Sequence, residues 1–235
     1  MRFAHPLIEG TLLRRYKRFL ADIRLLDGTL VTAHTANTGA MTGCSTPGSR
    51  VWLSDSRNPR RRYPLTWELV ESPCGVLIGI NTQLSNPMVK EAITEGVVTP
   101  LRGYQKIATE VRYGSENSRA DLMLEDASGK RCFVEVKNVT LAGKGIGKFP
   151  DAVSARGSKH LRELMAMTRQ GHRAVLLFCV QREDVHTVSP ADEIDPRYGA
   201  LLREAGDAGV EIMAYGARVS PHGIALERRL AVCLS

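Results

Sequence analysis

Aromatic residues are scarce, at 6% of the 235 positions. That scarcity argues against a sugar-binding cluster of stacked rings. Long apolar runs are also missing: a segment such as "AVLLFCV" at 174–180 falls far short of the ~20 residues a membrane helix needs. The first twenty residues lack the unbroken apolar stretch of a secretory signal. The five cysteines, at 44, 74, 132, 179 and 233, are odd in number and scattered, with no C-x-x-C pair. Zinc fingers and disulfide frameworks are thereby disfavoured, and reduced thiols in the cytoplasm, with nucleoid association as one setting, are expected. The six histidines show no zinc-ligand spacing. "GKGIGKF" at 143–149 invites a phosphate-loop reading, but the spacing fails and Phe149 stands where a Ser or Thr must bind magnesium. It reads as a flexible loop. Internal repeats and low-complexity tracts are absent.

What is present is an ordinary globular balance, 43% apolar and 24% charged, enough for one large or two small domains. Net charge is +7 and uneven: residues 1–80 hold eleven Lys/Arg against six Asp/Glu. Clustered arginines favour a polyanionic partner, most often nucleic acid, although a solvated, mildly basic surface accounts for the charge equally well.

The first eighty residues read as short strands separated by turn chemistry. "LIEGTLL", "FLADIRLL", "TLVTAHT", "RVWLSD" and "LTWELVE" alternate with "DG", "NTGAMTG", "TPG" and "NPRRRYP". Five such strands suggest a small barrel, and an OB-type barrel suits nucleic acid. Within it "RRYKRF" interleaves Arg14, Arg15, Lys17 and Arg18 with Tyr16 and Phe19, a pattern fit to hold phosphates and stack bases. A basic edge strand guarding against aggregation would look the same. Beyond residues 80–85 the texture changes to alternating helices and strands, so the expected division is 1–82 and 83–235. "NPMVKEAITEG" reads as a helix capped by Asn86, followed by a strand at 106–113 and a longer helix at 154–171. A strand, a helix and a strand complete an α/β unit with a mixed sheet (α+β overall).

One hairpin in this unit is chemically odd. In "RADLMLEDASGKRCFVEVKN" (119–138), folding about Ser128 sets Ala120, Leu122 and Leu124 on a face with Cys132, Val134 and Val136. On the other face Glu125 meets Arg131, Met123 meets Phe133, and Asp121 meets Glu135. Like charges directly opposite are destabilising. At about 5 Å they repel by about 1 kcal/mol in water and a few kcal/mol where the effective dielectric is nearer 20. A divalent cation between them reverses the sign, and Mg²⁺ (or Mn²⁺) suits one or two carboxylates plus waters. Lys137 on the same face could orient a water or balance phosphorane charge. E-x-K alone is worthless, since about one arises per chain of this length by chance. The competing account leaves this face solvated, with Lys137 neutralising the pair.

Asp…E-x-K on a hairpin, after a helix carrying a Glu and before a basic helix, resembles the PD-(D/E)xK nuclease superfamily. More narrowly, "RYKRFLAD", "NTGAMTG", "TWEL", "EVRYG" with "SRAD", "VEVKNVTL", "FPDAVSARGSKHLREL" and "GVEIMAY" resemble, in order, the bacterial sugar fermentation stimulation protein family over essentially the whole chain. The resemblance implies an N-terminal OB-fold, then a restriction-endonuclease-like domain. It further implies non-specific DNA binding, with RNA left open, and a regulatory role in maltose or other sugar use. By motif position Asp121, Glu135 and Lys137 take the nuclease roles, Asp121 and Glu135 as metal ligands. Glu91 is the expected additional acid and Glu110 its competitor. Ala120 replaces the superfamily's proline. Arg156, Lys159 and His160, opening the following helix, are expected to clamp a phosphate, although a basic helix start facing solvent fits equally. Asp151 is not expected at the metal. The alternative to an enzyme is a DNA-binding regulatory protein that keeps the nuclease fold as a scaffold.

Overall fold

Alternating apolar residues in the first eighty positions do fold as short strands. The computed structural model describes residues 1–235. It places β1 (Ile8–Tyr16), β2 (Leu20–Leu25), β3 (Leu30–His34), β4 (Arg50–Asp55), β5 (Leu65–Glu71) and β6 (Leu77–Gly79) in one sheet. β1 pairs with both β2 and β4, β2 with β3, and β4 with β5, while a β3–β5 bridge at His34 and Thr66 closes the barrel. Leu12, Ile23, Val51, Leu53 and Trp67 fill its interior. Close strand crossing requires a glycine at one point: a Cβ on Gly10 would lie 2.6 Å from the Ile23 side chain and 2.8 Å from the Arg24 carbonyl oxygen.

The second sheet is built from residues 106–232. After α1 (Ser85–Thr94) come β7 (Lys106–Tyr113), β8 (Ser118–Glu125) and β9 (Arg131–Val139), then β10 (Ala142–Gly143) and β11 (Ile146–Phe149). α2 (Ala155–Arg169), β12 (Arg173–Val180), β13 (Thr187–Pro190), α3 (Pro196–Asp207), β14 (Glu211–Ser220) and β15 (Gly223–Val232) complete it. The strand order is β10-β11-β13-β15-β14-β12-β9-β8-β7. β9, β12 and β14 run parallel, joined by crossover helices α2 and α3, and β7–β8–β9 is an antiparallel meander. The mixed sheet expected from the alternating pattern is present. α1 covers one face through Met88, Val89 and Ile93. α2 and α3 cover the other through Leu161, Leu164 and Leu202. No helix is long and apolar enough to cross a membrane.

Several expectations are corrected. "IGKF", read as part of a flexible loop, is strand β11, parallel to β13. The arms of "RRYKRF" are not one strand: β1 ends at Tyr16, and Lys17 and Arg18 make a tight turn with φ of 49° and 63°. Asn86 does not cap α1, which begins at Ser85 behind a short 3-10 turn whose own cap is Asn81, accepting from Gln83 N. The strand β15 escaped sequence reading altogether. Residues Met1–Phe3, expected with the barrel, run along the second sheet, where Arg2 bridges Gly223.

The barrel and the second unit share a core. Trp52 of β4 and Leu69 of β5 pack in the same apolar cluster as Leu122, Val134 and Leu177. Burial of this kind is directional through shape, so the barrel is held in place against the sheet instead of hanging from a linker. Trp67 is fully buried and its Nε1 donates to Leu69 O at 2.8 Å. Trp67→Ala is expected to cost about 3–5 kcal/mol in urea unfolding; a loss below about 1 kcal/mol would mean that the barrel core is not cooperative with the rest.

Candidate functional site

The hairpin folds in the expected register, and then departs from it where the chemistry lies. Glu125 pairs with Arg131, Leu124 with Cys132, Met123 with Phe133 and Leu122 with Val134. The ladder stops there. β8 goes on pairing with β7 as far as Ser118, and β9 with β12 as far as Val139, so the two strands part beyond Leu122. Asp121 stands at this fork and accepts a hydrogen bond from Val136 N through Oδ2 at 2.7 Å. A side-chain oxygen thus replaces the ladder bond that the parting strands give up. The two acids are not a regular cross-strand pair, as the uninterrupted hairpin would have made them. Ala120 joins the cluster under α2 and not that of Leu122 and Leu124. Opposite the fork, Glu110 adopts a φ of 55°, strained for a residue with a side chain.

The solvated alternative for this face fails. Phe133 is buried and stacks on Tyr113, with ring centroids 5.4 Å apart. Glu135 is 2% exposed because α2 lies over it. Its Oε1 accepts from Lys137 Nζ at 2.8 Å and takes a close contact from His160 Nδ1. Arg156 Nε donates to His160 Nε2 at 3.3 Å, so the ring hydrogen belongs on Nδ1, toward Glu135. The other carboxylate oxygen, Oε2, is buried and has no hydrogen-bond partner. A buried carboxylate oxygen left without a hydrogen bond is costly even when the charge itself is paired.

Asp121 and Glu135 respond to this setting in opposite senses. Burial, then the neighbouring Glu135 charge, pushes Asp121 above the usual carboxylate range, against its hydrogen bonds from Val136 N and Asn86. Burial alone would raise Glu135 as well, but the Lys137 ammonium and the His160 ring together outweigh it and hold Glu135 low. Asn86 Nδ2 donates to Asp121 Oδ1 at 2.8 Å.

These groups lie in a cleft of about 340 Å³ between the second sheet and the barrel. Asp121, Glu135, Lys137, His160 and Arg156 all line it. Glu91 is not. Its Oε2 takes the Met1 ammonium at 2.6 Å, outside the cleft. Five residues along a helix is about 500°, so Glu91 sits about 140° around α1 from Asn86, the residue that faces Asp121. Glu110 is exposed on β7 and lines no part of the cleft. Lys159 lies beside Glu116, adding weakly to the Arg162 bond that holds that carboxylate low.

The basic residues of the barrel divide. Arg14 pairs with Asp22 at 2.8 Å and lies over the Tyr16 ring, whose hydroxyl donates to the same Asp22. Lys17 and Arg18 are exposed in their turn. Arg15 points inward: its Nη2 donates to Arg18 O at 2.6 Å, and to Asn37 O and Gly39 O at 2.9 Å each. Sequence reading missed the residues this latch positions. Asn37, Thr38 and Gly39 form the barrel's wall of the cleft, and Asp151 and Lys148 flank it. Asp151, beside a cis Phe149–Pro150 bond, accepts from Met41 N at 3.1 Å and so joins the two units. "NTG" signals a turn; nothing in it signals what the turn will face.

No three His, Cys, Asp or Glu side chains converge as a protein-only cage. Two carboxylates, one with a free oxygen, suit a hard cation that keeps several waters, such as Mg²⁺ or Mn²⁺, and not structural zinc.

Comparison with known proteins agrees with this architecture. A model described as the SfsA N-terminal OB domain matches residues 13–80, and one described as the sugar fermentation stimulation protein RE domain matches residues 83–223. A sugar fermentation stimulation protein homolog from Thioalkalivibrio sulfidiphilus is 62% identical, covering 100% of this chain and 99% of that protein. One from Geobacter metallireducens is 58% identical, covering 100% of both. The solved structure of Pyrococcus furiosus SfsA in complex with Ca²⁺ is 29% identical, covers 99% of this chain and 98% of that one, and superposes with a TM-score of 0.90.

The two shifts set a pH signature for the metal-free protein. A raised folded pKa means that Asp121's contribution is lost as pH rises from about 3.9, its unfolded value, through the higher folded one. Glu135 runs the other way, stabilising above about 4.3 and losing that contribution as pH falls through its lowered value. Asp121→Asn removes the cost of ionisation while keeping the shape. In chelator-treated protein it is expected to melt at a higher temperature than the parent at neutral pH, the gap closing in acid. A lower melting temperature at neutral pH would show that Asp121 is not under charge stress.

Proposed function

The chain belongs to the sugar fermentation stimulation protein family, and from that premise we propose that it is a nucleic-acid-binding protein that hydrolyses phosphodiesters, DNA foremost, with a divalent cation held by Asp121 and Glu135. The observation that carries this reading is the buried, unpartnered Glu135 Oε2 in the same cleft as Asp121. Its relative from Pyrococcus furiosus was solved with Ca²⁺, a cation of the same oxygen-seeking kind.

When bound, such a cation supplies Lewis-acid polarisation of a phosphoryl oxygen and lowers the pKa of water. The chain's own groups do the rest. Asp121 is fixed by Val136 N and Asn86, so its carboxylate is pre-oriented at the fork. His160 and Lys137 hold Oε1 of Glu135, which leaves Oε2 the one carboxylate oxygen without a partner. Lys137 is only 12% exposed, so a water it orients is shielded from competing solvent. Arg156 and Lys148, at the cleft, bind the phosphate flanking the attacked one. In the reaction the water oxygen bonds to phosphorus, the phosphorus–oxygen bond to the leaving sugar breaks, and that oxygen takes a proton. The products are a phosphomonoester end and a free hydroxyl.

One observation favours a second reading, a DNA-binding regulator of sugar use that keeps the fold as a scaffold. Lys137 and His160 already neutralise Glu135 without any cation.

Cleavage of labelled DNA with Mn²⁺ separates the two. Hydrolysis is expected, with Asp121→Ala abolishing both Mn²⁺ binding heat and cutting, and Lys137→Ala lowering kcat by roughly 10²-fold or more. The logarithm of DNA affinity is expected to fall linearly with log salt, since Lys and Arg contacts release counterions. Mn²⁺ heats unchanged in Asp121→Ala would reject the metal site. DNA affinity with no cutting under any divalent ion would leave only the scaffold.

A further inference from the structure

The barrel was expected to act through the exposed Arg14–Arg18 segment, as a module that holds a strand on its surface. What it contributes to the carboxylates' cleft is another segment, the turn carrying Asn37, Thr38 and Gly39, which lines that cleft together with Asp121 and Glu135. Here we infer that this turn is a fixed wall that admits one nucleic-acid strand at a time, so that the protein selects single-stranded DNA or an unpaired end over intact duplex. The inference rests on the phosphodiesterase site proposed above and specifies its substrate.

The wall is held from both sides. The Arg15 guanidinium ties Asn37 O and Gly39 O to the β1–β2 turn through Arg18 O. Asp151, from the second unit, accepts from Met41 N just beyond the turn, and Thr82 donates to Ala36 O just before it. At Gly39 the packing leaves no room: a Cβ there would lie 2.6 Å from Asp151 Oδ2. Behind the turn, the barrel shares a core with the second sheet. Opening the cleft therefore requires breaking hydrogen bonds at Arg15 and Asp151 together with apolar packing, which is far more than a loop movement.

Its size then decides what fits. At about 340 Å³ the cleft lies near the lower end of the roughly 300–1,000 Å³ of small-molecule sites. That is room for about one nucleotide. The attacking chemistry lies inside it, at Glu135, which is 2% exposed. A duplex presents each phosphate with its partner strand alongside, so two strands have to be accommodated where the cleft has room for about one nucleotide. A lone strand can bend its backbone inward and pass between wall and carboxylates. The lining suits a strand's sugar and phosphate, being mostly polar, with the Thr38 side chain exposed on the wall and Asn138 beside Lys137. Arg15 is then a positioning residue for the wall, and Thr38 the residue that meets the strand.

The test measures binding in Ca²⁺ and cutting in Mn²⁺ on one fluorescein-labelled DNA sequence, presented as a single strand, a blunt duplex and a duplex with a single-stranded flap. The single strand and the flap are expected to bind at least about tenfold more tightly than the duplex. Cutting is expected to fall within or beside the unpaired region. Thr38→Glu, on an exposed turn where folding is not at risk, places a like charge against the strand's phosphates and is expected to reduce that preference about tenfold. Equal affinity for strand and duplex, or a preference untouched by Thr38→Glu, overturns the inference. Cutting of duplex and single strand at equal rates also overturns it, while leaving hydrolysis intact. Strand preference that depends on Thr38 without cutting in Mn²⁺ supports the wall and rejects the hydrolytic reading, so the two failures are distinguishable.

Discussion

Everything at the cleft depends on one buried carboxylate. Glu135 sits in the middle of β9, paired with β12 and under a helix, where a charge is admitted only if it is paired. Lys137, two residues along the same strand, and His160, from α2, pair one of its oxygens. The other has nothing. That asymmetry turns a structural ion pair into a candidate site, because an Oε2 with a hydrogen bond of its own would need no further partner. The parting of β8 and β9 makes the space. Had the ladder continued past Leu122, Asp121 would have spent its geometry on a regular pair and Val136 N on a carbonyl.

The barrel has a structural role that its charge conceals. Its outward Trp52 and Leu69 complete the core beneath the second sheet, and its 37–39 turn completes the cleft. Arginine serves both surfaces with the same chemistry. Arg14 is exposed on Asp22, while Arg15, one residue on and therefore on the opposite side of the strand, turns its guanidinium on four backbone carbonyls. Counting both as phosphate contacts missed that alternation. A second buried polar connection runs beside it: Glu68 of β5 accepts from Asn81, and Gln181 donates to Asn81 O, Ser85 and Asn138 at the cleft edge. Burial pushes Glu68 above the usual carboxylate range, with the Ser54 and Asn81 bonds opposing it.

The family matches agree with the fold. The matches to the OB and RE domain models cover most of the chain, and the 0.90 TM-score to the Pyrococcus furiosus structure holds at 29% identity. None of these says what the cleft binds in this chain. The proposed chemistry rests on the donor set, and the proposed strand selectivity on the wall.

Local pattern was enough for much of the fold. Alternation and turn residues marked the first five strands, the helices at α2 and α3, and the register of the β8–β9 hairpin, because those features depend on neighbours in sequence. The hairpin's like-charged pair marked Asp121 and Glu135 for the same reason: a two-residue period brings them within reach of each other. Only tertiary structure decided which residue of α1 faces the site, since helical phase excludes Glu91 and presents Asn86 instead. It alone decided that Arg15 is a latch, that "IGKF" is a strand, and that residues 37–39 oppose residues 121–137. Those outcomes are set by contacts between segments up to a hundred residues apart, and side-chain alternation within a segment carries no record of what will pack across from it.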